Sequence, residues 1–238
     1  YGRNSFGGAI NVISKAPESE FSYGSQLTIG NYDRVRAEGY LNVPLGDTLA
    51  FRLTASVDEH DPIIENNFDV RAGLRDKDET YVRAQLRWQP TDWLDATIRA
   101  SHLDQAGRGN TDFGYALLGT PIDPSNDGNS ITAAEVLNAQ IDPTNPRDGA
   151  GGLGVTGDPF TINSDFRADL DAEQDTIDLD TNIDLGWADL RVILAYADFS
   201  IGRTADADFS SLPAGFSGQF DDVEAFSQDI QLTSSGDR

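Results

Sequence analysis

The segment TIDLDTNIDL, residues 176–185, alternates apolar and polar side chains along almost its whole length. Ile177 and Leu179 fall on one side of an extended chain, whereas Asp178 and Asp180 fall on the other. This period of two is typical of a β-strand with two unlike faces, because successive side chains of a strand point in opposite directions. One side of the segment must therefore meet hydrocarbon or a protein core, and the other must meet water.

Segments with the same alternation recur along the chain, and helical spacing fits them poorly. Eight of them follow Lys15, which predicts an all-β, antiparallel protein. The apolar positions of the eight segments are Phe21, Tyr23, Leu27 and Ile29; Val35, Ala37, Leu41 and Val43; Leu49, Phe51, Leu53, Ala55 and Val57; Val82, Ala84, Leu86 and Trp88; Leu94, Ala96, Ile98 and Ala100; Ile177, Leu179, Ile183 and Leu185; Leu190, Val192, Leu194 and Tyr196; and Phe226, Ile230 and Leu232.

The connections between these segments differ in length in a regular way. Three short turns, with the sequences PLGDT, QPTDW and LGWADL, alternate with connections that are mostly long. The long connections are residues 61–78, 105–174 and 202–224, and GNYDR is the short one among them. Tight turns at one end and long loops at the other are typical of an outer-membrane β-barrel, with the turns in the periplasm and the loops outside.

All three tryptophans fall at the short-turn end of the predicted strands. They are Trp88, Trp93 and Trp187. An indole has an apolar body and one polar N–H group, so it is favoured at the level of the lipid headgroups. This distribution predicts the aromatic girdle of a transmembrane barrel.

The composition excludes several classes of function. Lys and Arg number 17 against 40 Asp and Glu, and the net charge of −23 opposes binding to nucleic acid. The absence of cysteine excludes disulfides, thiolate metal sites and cysteine nucleophiles. No run of 18 apolar residues is present, and no nucleophile elbow is found. We therefore predict neither an enzyme nor a bound cofactor.

The opening stretch YGRNSFGGAINVISKAP, residues 1–17, resembles the end of the plug domain of TonB-dependent outer-membrane receptors. Residues 23–61 resemble the first three barrel strands of that family, and FSQDIQLTSS, residues 226–235, resembles a later strand. The resemblance covers residues 1 to about 104 and 175–238. By this resemblance, the end of the plug and its transition to the barrel lie at Arg3, Gly7, Gly8, Ile10, Asn11 and Val12.

The resemblance implies a 22-stranded barrel filled by a plug. Residues 1–17 would be the C-terminal end of the plug domain, and residues 18–238 the N-terminal part of the barrel, with a long outer loop over 105–174. The chain would then be an internal fragment, without the signal peptide, the TonB box, most of the plug and the remaining strands. The implied protein lies in the outer membrane of a Gram-negative bacterium and imports a scarce solute, most often a ferric siderophore, with energy delivered by TonB.

Charged residues on the predicted inner face suggest a network of salt bridges between plug and wall. The alternative is that these side chains are charged simply because the interior is wet. The residues are Arg34, Arg36, Glu38, Arg52, Asp58, Arg83, Arg87 and Arg99.

Three further patterns are weak. Asp123, Ser125 and Asp127 match the first half of a calcium loop, but position twelve is Ala134 and the bidentate acid is missing. GLGVTG, residues 152–157, has phosphate-loop spacing without the preceding strand or the following helix. His60 and His102 are predicted to be exposed polar residues near the outer ends of two strands.

Two other classes of protein remain open at this stage. One is a small, non-energised outer-membrane barrel, such as a pore or an adhesin. The other is a soluble all-β binding module, in which the apolar face would pack inside the protein. The three hypotheses differ in what covers the apolar face and in whether the sheet closes on itself.

Overall fold

Alternating polar and apolar side chains produce one large sheet in this protein. The computed structural model describes the chain over seven stretches, and short connections link most of the strands in them. The described residues are 14–67, 73–108, 121–122, 131–132, 160–162, 164–206 and 216–234.

The sheet contains eight long strands, and every neighbouring pair is antiparallel. In sheet order the strands are β1 (Ser22–Ile29), β2 (Val35–Pro44), β3 (Leu49–His60), β5 (Lys77–Thr91), β6 (Leu94–Gly107), β10 (Leu170–Asp184), β11 (Ala188–Asp206) and β12 (Phe216–Ser234). The prediction of eight antiparallel strands in an all-β fold is therefore confirmed. β1 and β12 do not pair with each other, so the described sheet is open.

Four strands of two residues each lie in the long connections. They are β4 (Glu65–Asn66), β7 (Pro121–Ile122), β8 (Ile131–Thr132) and β9 (Thr161–Ile162). β4 and β9 pair in parallel, which brings two long connections together. Beside this pair, Ile64, Leu74 and Ala168 form a small buried cluster. The described residues contain no helix long and apolar enough to cross a bilayer.

The register separates the side chains of the sheet into two faces. One row of facing residues crosses all eight strands and is entirely apolar: Tyr23, Leu41, Leu53, Ala84, Ala100, Ile177, Tyr196 and Phe226. The neighbouring row, on the other side, is mostly polar: Ser22, Asn42, Arg52, Gln85, Arg99, Asp178, Ala195 and Ser227. We call these two sides the apolar face and the polar face.

No other described element covers the apolar face. Leu27, Ile29, Phe226 and Ile230 are each more than half exposed. The buried apolar side chains are few and mostly alanines: Ala50, Ile64, Leu74, Ala168, Ala172 and Ala188. A soluble sandwich would bury such a face against a second sheet. An exposed apolar surface of this extent is instead typical of a contact with lipid or another protein.

The strands are longer than the sequence predicted. β6 continues to Gly107 and β10 begins at Leu170, so both extend into the predicted loop of 105–174. β11 and β12 likewise extend into the predicted loop of 202–224. In and just before these extensions the apolar face carries acidic residues, whereas apolar side chains such as Leu103, Phe199 and Val223 fall on the polar face, so the alternation of the rest of the strands is not continued. The residues that break it, which we call the acidic rim, are Asp104, Glu173, Asp175, Asp198, Asp222 and Glu224.

The short turns adopt conformations that glycine favours. Gly186 has a φ of 82° and donates its N–H to Asp184 Oδ1 at 2.7 Å. Gly46, in the turn between β2 and β3, has a φ of 144°. Side chains other than glycine rarely adopt these angles. The three tryptophans lie at this end of the sheet and are about half exposed or more, at 48% for Trp88, 52% for Trp93 and 66% for Trp187.

Candidate functional site on the polar face

The chain segment that precedes β1 lies across the polar face of the sheet. Asn42 holds it, because Asn42 Nδ2 donates to the carbonyl oxygens of Glu18 and Glu20 at 2.8 and 2.7 Å. Asn42 Oδ1 accepts from the Glu18 N–H at 3.0 Å, and Gln85 Nε2 donates to the Lys15 carbonyl at 3.1 Å. Both anchoring side chains are almost completely buried. The segment is thus attached to two strands, β2 and β5.

Four residues of the polar face stand side by side beneath this segment. The register pairs Ser22 with Asn42, Asn42 with Arg52, and Arg52 with Gln85. We call this set, Ser22, Asn42, Arg52 and Gln85, the anchor row. It joins β1, β2, β3 and β5 under the chain that leads into the sheet.

The anchor row contains unused hydrogen-bonding capacity. Ser22 Oγ, Arg52 Nη1 and Gln85 Oε1 are buried and have no hydrogen-bond partner among the described residues. Arg52 is 6% exposed, and its guanidinium lies 4.0 Å from the centroid of the Tyr40 ring. A cation–π contact compensates a buried charge only in part, and a buried cation normally also has an anionic partner. The row is therefore suited to bind a further polar or acidic group.

A shallow depression lies beside Arg52 on this face. Its volume is about 410 Å³, and Gln26, Glu38, Tyr40 and Thr54 line it. Gly24 is required at its edge, because a Cβ atom there would lie 2.7 Å from Tyr40 Cε1. The depression leaves room for a side chain from another segment to approach Arg52.

A buried carboxylate near the long-connection end joins three elements. Asp58 accepts two hydrogen bonds from Arg34, at 3.0 and 2.8 Å, and one from Lys77 Nζ at 3.0 Å. Only 7% of the Asp58 side chain is exposed. Arg34 lies in the turn between β1 and β2, and its hydrogen bond to Asp58 raises the pKa of the guanidinium above its ordinary value. These ion pairs fix the turn to β3 and β5.

Further ion pairs connect neighbouring strands on the polar face. Arg87 bonds to Asp95 at 2.5 Å, and Arg99 bonds to Asp178 at 2.7 Å. Asp180 accepts from Arg191 at 2.9 Å and lies 3.5 Å from Arg99. Cross-strand pairs of this kind stabilise a sheet modestly and hold its side chains in fixed positions.

The structure places seven of the eight predicted inner-face residues on the polar face. They are Arg36, Glu38, Arg52, Asp58, Arg83, Arg87 and Arg99, and the eighth, Arg34, lies in the turn before β2. Arg36 pairs with Glu38, and Arg83 lies over the Tyr81 ring. Most of the predicted charges therefore have partners inside the wall, and their role toward a plug stays a prediction.

The sequence analysis did not single out three members of the anchor row. Ser22, Asn42 and Gln85 are uncharged, and a search for charged contacts overlooks them. Their signal in the sequence is slight, because they occupy ordinary polar positions of alternating strands. Only the register shows that they are neighbours of Arg52 and lie under one chain segment.

The two histidines lie on opposite faces of the sheet. His60 Nδ1 is 2.8 Å from the Asp61 carbonyl oxygen, whereas His102 Nδ1 is 3.0 Å from Asp175 Oδ1 on the apolar face. They cannot share a metal ion. Other predicted positions lie outside the described residues: Arg3, Gly7, Gly8, Ile10, Asn11, Val12, Asp123, Ser125, Asp127 and residues 152–157.

Comparison with solved structures identifies the fold. The ferric yersiniabactin uptake receptor FyuA of Yersinia pestis matches 94% of this chain with a TM-score of 0.64 at 13% identity. The siderophore receptor PiuA of Acinetobacter baumannii matches 94% with a TM-score of 0.63, also at 13% identity. The open form of the ferric-catecholate import receptor Fiu of E. coli K12 matches 93% with a TM-score of 0.58 at 14% identity.

All three similar proteins are receptors by name: one for uptake of ferric yersiniabactin, one for a siderophore and one for import of ferric catecholate. The chain spans 29% of FyuA, 29% of PiuA and 32% of Fiu. No family model matches the sequence. The chain therefore has the fold of part of these receptors, and its antiparallel sheet corresponds to a portion of a barrel wall.

Proposed function

We propose that the chain is part of a TonB-dependent receptor in the outer membrane of a Gram-negative bacterium. In this proposal residues 1–17 end the plug domain, and residues 18–238 form the first part of the barrel wall. The main support is the apolar face of a continuous antiparallel sheet, which no other described element covers, with every tryptophan at the short-turn end. Strands in lipid need partners for all their backbone groups, so β1 and β12 would pair with further strands of a closed barrel.

The proposed activity is active import of a scarce solute, namely a ferric siderophore or another iron complex, and the names of the similar receptors support this class of solute. TonB would supply energy from the inner membrane. The polar face would line the interior of the barrel, because the segment that leads from the plug lies across it. The apolar face would contact outer-membrane lipid.

The activity can be tested with the full-length protein in its own cell. Deleting its gene should abolish uptake of at least one radiolabelled ferric siderophore under iron limitation, and restoring the gene should restore it. An uncoupler that collapses the proton-motive force should block uptake. Import that persists with the uncoupler would favour a non-energised pore, and recovery of the protein in the soluble fraction would favour a soluble binding module.

We further propose that the anchor row attaches the junction between the plug and the first strand, residues 15–20, to the barrel wall. Asn42 and Gln85 already hold residues 15–20, and Arg52 is placed to bind a polar or acidic group of the plug. In this proposal the attachment stays in place while the rest of the plug rearranges during transport.

Replacing Asn42 by alanine tests this attachment. Asn42→Ala removes three partly buried hydrogen bonds to the backbone of Glu18 and Glu20, which costs about 1–3 kcal/mol. A spin label at Ser19 of the full-length receptor in vesicles should become clearly more mobile. Arg191→Gln is the matched control, because Arg191 bonds to Asp180 on strands away from this segment, and it should leave the label unchanged. Equal mobility in both variants would contradict the attachment.

A further inference from the structure

A group of potential metal ligands lies on the apolar face, away from the anchor row. His102 of β6 stands directly opposite Asp175 of β10, and Glu173 lies one row further from the short turns. His102 Nδ1 is 3.0 Å from Asp175 Oδ1 and 3.9 Å from Glu173 Oε1. One donor atom from each of the three side chains lies within 4.8 Å of the others.

The surroundings of this group are acidic. The register places Asp104 opposite Glu173, and Asp198 opposite Asp175. On the other side of β6, Val82 faces His102 and Thr80 faces Asp104. The described apolar-face positions of β5, β6, β10 and β11 include no Lys or Arg. Four carboxylates thus surround one imidazole without a basic side chain of the same face to balance them.

The ligand types indicate which cation fits. An imidazole nitrogen with carboxylate oxygens suits Zn²⁺ and other divalent transition metals, whereas Ca²⁺ and Mg²⁺ prefer oxygen ligands alone. Ligands of a tetrahedral zinc ion, bound at about 2.0–2.2 Å, lie about 3.3–3.6 Å apart. The observed separations bracket this value, and the exposed side chains have room for small rotations.

The backbone holds the group in place. β6 pairs with β5 on one side and with β10 on the other, and β10 pairs in turn with β11. Metal binding would therefore need only side-chain adjustment and no rearrangement of the sheet. We propose that His102, Glu173 and Asp175 form a binding site for a divalent transition-metal ion such as Zn²⁺, with one coordination position open to water.

The experiment measures Zn²⁺ binding to the full-length protein, purified in detergent without a polyhistidine tag and freed of metal with a chelator. Calorimetry at about pH 7.5 should show a zinc site whose affinity falls at least about tenfold in His102→Gln and in Asp175→Asn. Binding should also weaken at about pH 5.5, because protons then compete for the imidazole. Cu²⁺ used as a spectroscopic probe should show imidazole nitrogen coupling that His102→Gln abolishes.

Two matched controls distinguish a specific zinc site from the nonspecific attraction of cations to negative charge. His60→Gln removes the other histidine and should leave zinc binding unchanged. Asp104→Asn removes a neighbouring negative charge without removing one of the three ligands, and it should weaken binding less than about threefold. If His102→Gln lowers the yield of folded protein, Asp175→Asn tests the site in its place. Unchanged zinc binding in a folded ligand variant, or equal displacement by Mg²⁺, would overturn the proposal.

Discussion

The part of the apolar face near the short turns and the part near the long connections show how one strand can suit two environments. Near the short turns, β10, β11 and β12 present Leu179, Leu194 and Ile230. Further along the same strands and on the same face stands the acidic rim. The backbone pairing continues through both parts without interruption. The difference teaches that strand length follows hydrogen bonding, whereas in the proposed barrel the height of the apolar band would follow the thickness of the surrounding hydrocarbon.

The largest expected effect comes from placing a charge in the apolar band. Leu179→Arg should destabilise the folded full-length protein in lipid vesicles by about 2–4 kcal/mol, because an arginine near the bilayer midplane loses its hydration. Ser200→Arg is the control, since Ser200 lies on the same face beside Asp222 and Glu173 of the acidic rim. It should cost no more than about 1 kcal/mol.

Denaturant unfolding in vesicles measures both values. If the two arginine variants were equally stable, the apolar band and the acidic rim would share one environment, and the comparison between them would fail. If Leu179→Ala proved as costly as Leu179→Arg, the face would be packed against protein rather than lipid.

A smaller effect is expected on the polar face, where buried and exposed ion pairs can be compared. Asp58→Asn should cost about 1–2 kcal/mol, because Arg34 and Lys77 lose their shared carboxylate in a buried position. Glu38→Gln breaks an exposed pair with Arg36 and should cost less than about 1 kcal/mol. Denaturant unfolding in vesicles measures both losses of stability. A larger loss for Glu38→Gln than for Asp58→Asn would contradict the prediction.

The smallest effect is expected in the short turns. Gly186→Ala should cost about 1 kcal/mol, because its φ of 82° strains any residue with a Cβ atom although the space around it is open. Gly30→Ala, in the turn between β1 and β2, is the control. Its added Cβ would make ordinary contact with Arg34 Cβ at 3.6 Å, so it should be close to neutral. Unchanged stability of Gly186→Ala would contradict this prediction and would show that the backbone of the turn relaxes.

Much of the fold could be predicted from residues such as those of 176–185. Where one face meets an apolar environment and the other meets water, the alternation reveals the strand and its two faces. Beyond Ile177 and Tyr196 the pattern changes, because Asp175 and Asp198 stand on the apolar face while Phe199 stands on the polar face. The sequence therefore predicted loops over parts of 105–174 and 202–224 that the structure assigns to strands.

The candidate site was less predictable than the fold. Charged residues such as Arg87 and Arg99 could be assigned to the polar face, but their partners Asp95 and Asp178 depend on register. Asn42 carries no charge and no motif, yet it makes three of the hydrogen bonds that hold the entering chain. Its role arises from contacts between residues more than twenty positions apart in the sequence.

The sequence by itself determined the period of the strands, the division into an apolar and a polar face, and the end at which the tryptophans lie. These features are local, because they follow from side-chain alternation and turn chemistry. The tertiary structure alone decided which residues became neighbours across strands. The anchor row and the group around His102 both depend on that register, since a shift of one residue would move every side chain to the opposite face.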